Sequence, residues 1–590
     1  MASESGLREA VLAAAADLCG TRSGAAADGG RSGSGIDGGR PGAGIVLERP
    51  PKADFGDYST NAALVLAQAV GARPRELAER LGETLANKLG GQLERFEIAG
   101  PGFLNLFLSD AWHRAALAAA LAAGERFGGG GAEEPERVIV EFVSANPTGP
   151  MHVGHARNAA YGDALARVLA FHGHAVWREF YVNDAGSQIL KLGESIAAIA
   201  AGRPVPEDGY RGEYVNRLAS SIAQVQSRSA VEVGREAVGL MTDQIKRSLH
   251  EFRVIGFDHW QYESRLHQPR PDLLDERGRA VSPVEHALAL LERHGHTYRE
   301  DGALWLKSTD FGDDKDRVLV RSDGQHTYFA SDIAYHQDKR ERGFGRQIDV
   351  WGADHHGYIA RMRAAYEALG GDPEELEMAI MQLVHLVRRG ERAQMSKRAG
   401  EFVTLEELVG EIGVDAARWF LLSRSHDTTI DLDLDLAREQ SSENPVYYVQ
   451  YAHARIASML RKAGAERVEG ALSQAGSQGD EGSRSSIEGG GSLLSAEDGG
   501  SLHPAERALV KRLLGFPMEV REAAERRSAH RIAAYALELA QDFTAFYRDC
   551  RVVDAESTSV ESLRIALCVA SQRTLARALG LLGVSAPAEM

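Results

Sequence analysis

RVIVEFVSANPTGPMHVGHARNAAYGDALARVLAFHG, Arg137 to Gly173, begins as a β-branched apolar run through Asn146, breaks at a Pro/Gly turn and resumes with a helical pattern from His152. Ala160, Ala164, Leu165, Val168 and Leu169 form the apolar stripe of that helix, so the segment predicts a buried strand, a glycine-bearing turn and a helix. Nucleotide-binding parallel sheets are assembled from such βα units. His152, Val153, Gly154 and His155 fall at the helix start, where unpaired NH groups and the helix dipole favour an anion. Gly154 lets a nucleotide approach the backbone, and each histidine ring can donate a hydrogen bond to phosphate. Two histidines at this spacing can also bind a metal or lie on a surface, but no cysteine or carboxylate nearby completes a metal shell.

Working outward, REFYVND (Arg178–Asp184), QIDVWGADHHG (Gln347–Gly357) and MAIMQLVHLV (Met378–Val387) read as later strands of an open parallel sheet. Upstream, GPGFLNLFL (Gly100–Leu108) reads as a strand and Asp110–Ala123 as a helix. From Asn444 the pattern changes to a run of amphipathic helices reaching Leu582. Two Gly-rich stretches, about Gly20–Gly44 and Val468–Ser501, carry too few large apolar side chains to offset the entropy of ordering. No structure is assigned to either, and no internal repeat is found.

Composition narrows the class. At 590 residues the chain needs several cores, and 44% apolar with 26% charged residues is the balance of a soluble globular protein. Cys19, Cys550 and Cys568 have no CxxC spacing, which points to a reducing cytoplasm rather than a disulfide framework. Met1–Leu7 has no basic-then-apolar succession, and no stretch is expected to reach the roughly 18 apolar residues of a membrane span. The net charge of −17 disfavours a nucleic-acid partner as an average, yet from Leu502 onward twelve Lys and Arg face eleven Asp and Glu. A locally basic RNA-binding face is therefore compatible with the acidic whole.

QMSKRAG, Gln394 to Gly400, supplies a flexible Lys397 in a polar loop, able to reach a reacting triphosphate; alone the triplet means little and reads as a solvated basic loop. Paired with HVGH in this order, it resembles the HIGH and KMSKS signatures of class I aminoacyl-tRNA synthetases. FGDYSTNAA (Phe55–Ala63), VEFVSANPTGPMHVGH (Val140–His155), YVNDAGSQI (Tyr181–Ile189), TYFASDIAYH (Thr327–His336), GVDAARWF (Gly413–Phe420) and NPVYYVQYAHARI (Asn444–Ile456) extend the resemblance to the arginine-specific family, over nearly the whole chain outside the Gly-rich stretches. A cysteinyl relative would show cysteine metal ligands, and none are spaced for one; a non-catalytic tRNA-binding relative would not need HVGH and MSK intact.

The resemblance implies an α/β protein: a class I Rossmann-like parallel-sheet catalytic domain, an N-terminal α+β RNA-binding domain and a C-terminal all-α anticodon-binding domain. Its expected divisions are 1–111 for the N-terminal, D-loop-contacting domain with an insert at 20–44, then 112–200 for the first catalytic half, 201–320 for an insertion and 321–390 for the second half. The MSK-loop connective domain would occupy 391–443, and the anticodon-binding domain 444–590 with an insert at 468–501. The implied activity is ATP-dependent ligation of L-arginine to tRNA(Arg) through arginyl-adenylate, with ATP accompanied by Mg²⁺ and with tRNA bound before activation. A cytoplasmic monomer without a membrane partner or a protein-held metal is expected. His152, Val153, Gly154, His155, Met395, Ser396 and Lys397 match the family's ATP-handling positions. Asn146 matches an amino-acid-orienting residue, with Glu141 beside it. Tyr328, Asp332 and Glu263 match guanidinium contacts, which suits a planar cation with five donors, and Asp354 matches an α-amino contact where many relatives have Gln. Phe103 and Asn105 match D-loop contacts; Tyr448, Tyr451, Tyr547 and Met590 match anticodon-loop contacts. One departure is Gly149, where many arginine enzymes with a degraded KMSKS loop place a lysine; here the positive charge is expected from Lys397.

Overall fold

Five parallel strands frame the centre of the computed structural model, which describes residues 3–20, 44–50, 52–392, 403–476 and 500–590. The spatial order is Leu376–Met381, Arg346–Gly352, Arg137–Glu141, Ala175–Val182, His259–Tyr262, with every neighbouring pair parallel. The first of these strands in the chain, Arg137–Glu141, thus lies in the middle, with later strands added to either side. At such a reversal the flanking crossovers diverge and open a crevice at the carboxyl ends of the strands, the usual ligand site of doubly wound sheets. His259–Tyr262 comes from within the stretch 201–320 that reads as an insertion, so that stretch also completes the sheet.

MAIMQLVHLV does not form one strand. Leu376–Met381 joins the main sheet, whereas Val384–Arg388 pairs in parallel with Ile430–Asp433 in a separate sheet. The break falls where the buried Arg157 donates to the Gln382 carbonyl at 2.6 Å and the Gln382 NH donates to the His426 carbonyl. Those bonds leave no ladder partner for a continuous strand.

The helix after the central strand, Val153–His172, is buried on nearly every side rather than along one stripe. It lies between the sheet and the C-terminal helices, which explains its polar buried members. Asp163 accepts from Arg418 at 2.5 Å, and the same guanidinium donates to the carbonyls of Leu582 and Phe252. Gly162 allows the close approach to the sheet: a Cβ there would lie 2.2 Å from the Phe142 ring.

At the N-terminal end, a four-stranded antiparallel sheet has Phe103–Leu108 between Tyr58–Thr60 and Leu93–Ala99, backed by Glu4–Gly20, Ala62–Val70 and Pro74–Leu89. Beyond Pro445 the described elements are all helices. Ala465–Gly476 is helical although its residues from Val468 were read as unstructured; Ala471 is buried, and the helix packs on Asp110–Ala123 and Thr558–Leu582. A second correction concerns Thr558–Leu582, which by length and composition is apolar enough to cross a membrane. Most of its apolar window is buried inside the protein, so its hydropathy is that of a core helix.

The contact at Gly162 yields a stability prediction. Gly162→Ala must push Phe142 or the helix aside, at about 1–3 kcal/mol. Differential scanning calorimetry should show a thermal midpoint several degrees lower; an unchanged midpoint would show that this contact is loose.

Candidate active site in the strand-reversal crevice

At the end of the central strand the backbone is strained. Val143 and Ser144 both have positive φ, 69° and 40°, which is unusual for non-glycine residues and especially for a β-branched one. Ser144 locks this corner by donating to Glu141 at 2.8 Å and accepting from the Tyr181 NH at 3.1 Å. The chain then exposes Asn146 and returns to His152, the residue capping the following helix.

The capping arrangement orients both imidazoles. His152 Nδ1 accepts from the Gly154 NH at 3.1 Å, His155 Nδ1 accepts from the His152 NH at 3.3 Å, and the rings stack 3.7 Å apart. Burial lowers the pKa of both, that of His155 to about 3 with His152 as the second cause. Near neutrality both rings are therefore uncharged, and with Nδ1 accepting, the proton resides on Nε2. Each presents an oriented donor. A Cβ on Gly154 would lie 2.9 Å from the His152 ring, so the glycine first of all makes room for this fold-back.

Val153 is buried, and its NH donates to the Val403 carbonyl at 3.2 Å, while the Leu405 NH donates to the Met151 carbonyl at 2.9 Å. Two main-chain bonds thus join the HVGH turn to the chain just beyond QMSKRAG. Met395, Ser396 and Lys397 lie outside the described residues. Lys397 is six positions from Val403, a span of at most about 20 Å.

A cluster of carboxyl groups gathers past the carboxyl ends of Ala175–Val182 and His259–Tyr262. Helix Tyr328–Glu341 carries Tyr328 and Asp332 one turn apart. Tyr358 donates to Asp332 at 2.5 Å. Glu263 is buried directly after the edge strand, and Ser264 holds Asp184 through its NH and hydroxyl at 2.8 and 2.7 Å. Burial, then Asp332 and Asp184, push Glu263 up to about 7. Burial is also the main cause that brings Asp332 to about 6, against the Tyr358 hydrogen bond. Tyr181 hydrogen-bonds Glu263 and packs its ring on Tyr335. Among the described residues no group of three or more His, Cys, Asp and Glu is arranged to hold a metal. Carboxylates spread this way, with phenols between them, suit a larger planar cation with several NH donors.

Glu141 is engaged differently. Lys339, fully buried, donates to Glu141 at 2.6 Å and to Asp349 at 2.8 Å, and His336 joins Asp349 at 2.6 Å and the Asp332 carbonyl at 2.8 Å. Asp354 is exposed in the turn after Arg346–Gly352 and pairs with His355 at 3.4 Å. Tyr328 lies at the mouth of the cluster, more than half exposed, its hydroxyl 2.8 Å from where a Cβ of Gly186 would stand.

Three family models match the chain in succession. They are the arginyl tRNA synthetase N terminal domain over residues 26–108, the class I (R) tRNA synthetase catalytic domain over 116–199 and 271–457, and the DALR anticodon binding domain over 449–590. The arginine–tRNA ligase of Bacillus velezensis is 44% identical over 562 residues, which cover 92% of this chain and 94% of the relative. The chain belongs to the arginyl-tRNA synthetase family. The arginine–tRNA ligase of Geobacillus thermodenitrificans is also 44% identical, over 565 residues with the same coverage. Thermus thermophilus arginyl-tRNA synthetase has the same fold over 99% of both chains, at 25% identity and a TM-score of 0.69.

The residues matched to tRNA contacts of this synthetase family fall in two places. In the N-terminal sheet Phe103 is exposed at the start of its strand, but Asn105 is buried and its carboxamide oxygen accepts from Ser59 at 2.8 Å. Asn105 sits in the middle of Phe103–Leu108, where the cross-strand serine covers it, so unlike the exposed Phe103 its amide is not open to an incoming base. In the helical module Tyr451, Tyr547 and Met590 are exposed, and Arg455 lies over both tyrosine rings, at 4.7 and 5.1 Å. Tyr448 instead bonds Thr544 at 3.0 Å. His453 and Arg461 bond the carbonyls of Pro587 and Ala588, laying the chain end along Pro445–Ala463.

Tyr181, Asp184, Tyr358, His336, Lys339 and Asp349 escape the sequence reading, although Tyr181, Asp184 and His336 lie inside quoted motifs. The available signal was helical spacing, which puts Asp332 with His336, and Tyr335 with Lys339, one turn apart.

A carboxyl group with a raised native pKa binds its proton more tightly when folded, so its effect favours folding at low pH and is lost as pH rises through about 4.5 to about 7. Glu263→Gln removes a burden of about 3 kcal/mol at pH 8. The variant should melt higher than the parent at pH 8 and lose that advantage by pH 5 in thermal scans. An advantage independent of pH would show that Glu263 is not a strained carboxylate.

Proposed function

We propose that arginyl-adenylate forms in the crevice between the HVGH turn and the Glu263–Asp332–Asp184 cluster of this arginine–tRNA ligase. The observation that carries the reading is a buried acidic cluster, which holds protons into the neutral range, beside oriented imidazole donors at a helix start. Glu263 and Asp332 take the guanidinium, with Tyr181, Tyr328 and Tyr358 around its plane. Asn146 and Asp354, exposed at the ends of adjacent strands, are assigned to the amino-acid backbone groups.

In the first step an arginine carboxylate oxygen bonds to the α-phosphorus of ATP while the bond to the β-phosphate oxygen breaks, releasing pyrophosphate. A terminal ribose hydroxyl of tRNA(Arg) then attacks the adenylate carbonyl, losing its proton and expelling AMP. Neither step needs a strong base from the protein; positioning and charge stabilisation suffice. His152 and His155 donate from Nε2, and Met395, Ser396 and Lys397 complete the phosphate contacts from the loop. Mg²⁺ is assigned to the nucleotide's own phosphate oxygens.

The division into the six spans given above is part of this proposal, as are contacts of Phe103 with the tRNA D-loop and of Tyr451, Tyr547 and Met590 with the anticodon loop. Tyr448 supports that surface from beneath. A monomer in a reducing cytoplasm fits the three free cysteines, two of them buried.

Arginine-dependent exchange of pyrophosphate into ATP, measured with and without tRNA(Arg), tests the reading. Exchange should require arginine and tRNA. Because protons compete with the guanidinium for Glu263 and Asp332, the KM for arginine should rise as pH falls from 8 to 6, while Asp332→Asn raises it at least tenfold and leaves the KM for ATP nearly unchanged. Exchange without tRNA, or an arginine KM indifferent to both changes, would overturn the assignment.

A further inference from the structure

A unit with its own core is built by Ser187–Ala200, which ends the first matched part of the catalytic domain, and by Glu213–Ser221 and the first half of Ala230–Glu251, which lie between the two matched parts. Ile189, Leu192, Ile196, Val215, Leu218 and Val233 form that core, separate from the one beneath the sheet. It touches the crevice twice. At one end Gly186, which precedes its first helix, adjoins the Tyr328 hydroxyl at the mouth of the acidic cluster. At the other, Tyr214 packs on this separate core and extends its phenol toward the chain just before HVGH, with the hydroxyl 3.6 Å from where a Cβ of Gly149 would stand. Gly149 is three residues before His152, the cap of the phosphate-facing helix.

The phenol is half-buried, and burial, then Tyr210, raise its pKa; among the described residues no carboxylate or cation acts on it. A tyrosine needed only for packing on the separate core would work as well as phenylalanine; its hydroxyl gains value where a polar ligand arrives.

We infer that Tyr214 is a nucleotide-positioning residue, supplied by the inserted unit, whose hydroxyl donates a hydrogen bond to the triphosphate of ATP over the HVGH turn. The inference rests on the crevice being the ATP site. The unit then contacts the surroundings of both small substrates, Tyr214 on the nucleotide side and Gly186 on the arginine side.

Tyr214→Phe removes the hydroxyl and keeps the ring. In pyrophosphate exchange with tRNA(Arg) present, the KM for ATP should rise about tenfold, as expected for one hydrogen bond to a charged acceptor. The KM for arginine should change less than twofold and the thermal midpoint by less than about a degree. Unchanged ATP parameters would overturn the inference. So would a lowered midpoint with both KM values raised, which means packing, or a defect seen only in transfer to tRNA, which means that the hydroxyl serves the tRNA end. Failure of His152→Ala to affect ATP use would instead remove the underlying site and not Tyr214 alone.

Discussion

One buried ammonium group organises the crevice. Lys339 stands between Glu141, at the end of the central strand, and Asp349, on the neighbouring strand, and so joins the two sides of the strand reversal. Burial opposes its charge, but Asp349 and Glu141 outweigh this and hold its pKa above the usual lysine range. The same attraction, with that of His336, keeps Asp349 well below the usual carboxylate range despite burial. Removing the lysine would leave Glu141 without its cation and Asp349 with His336 alone, both buried, which is far costlier than losing an exposed pair. Because the lysine is on Tyr328–Glu341, its placement also fixes Asp332 two turns earlier.

This arrangement divides the acidic residues into two sets. Glu141, Glu179 and Asp349 are matched by Lys339, Arg342 and His336 and hold the sheet and helix together. Glu263 and Asp332 have phenols beside them instead, and burial without a matching cation raises their proton affinity. The unmatched set costs stability in the empty protein, a common feature of binding sites. At the start of the helix that follows the central strand, the imidazoles stay neutral and oriented, so this turn presents directed donors whose own charge is zero.

The strand, turn and helix of Arg137–Gly173 were legible because burial on both faces of a central strand demands a continuous apolar run. HVGH was legible as spaced polar groups at a helix start. The break inside MAIMQLVHLV was not, since Arg157, far away in sequence, causes it. Helix Ala465–Gly476 was hidden by its neighbouring Gly/Ser composition, although Val468, Ala471 and Leu472 give it an apolar face. Asn105 illustrates the opposite failure: the motif match was plain, but only the strand partners reveal that its amide is covered. Lys339 and Asp349 carried little signal beyond helical spacing and a place in a strand segment, because in sequence a charged residue in a helix or strand reads as solvent-facing.

The most direct measurement is a crystal structure with a non-hydrolysable arginyl-adenylate analogue. The account predicts the guanidinium within hydrogen-bond distance of both Glu263 and Asp332, and the phosphate within that distance of Nε2 of His152 or His155. An analogue whose guanidinium lies in solvent, with the acidic cluster empty and the imidazoles distant from phosphate, would contradict it.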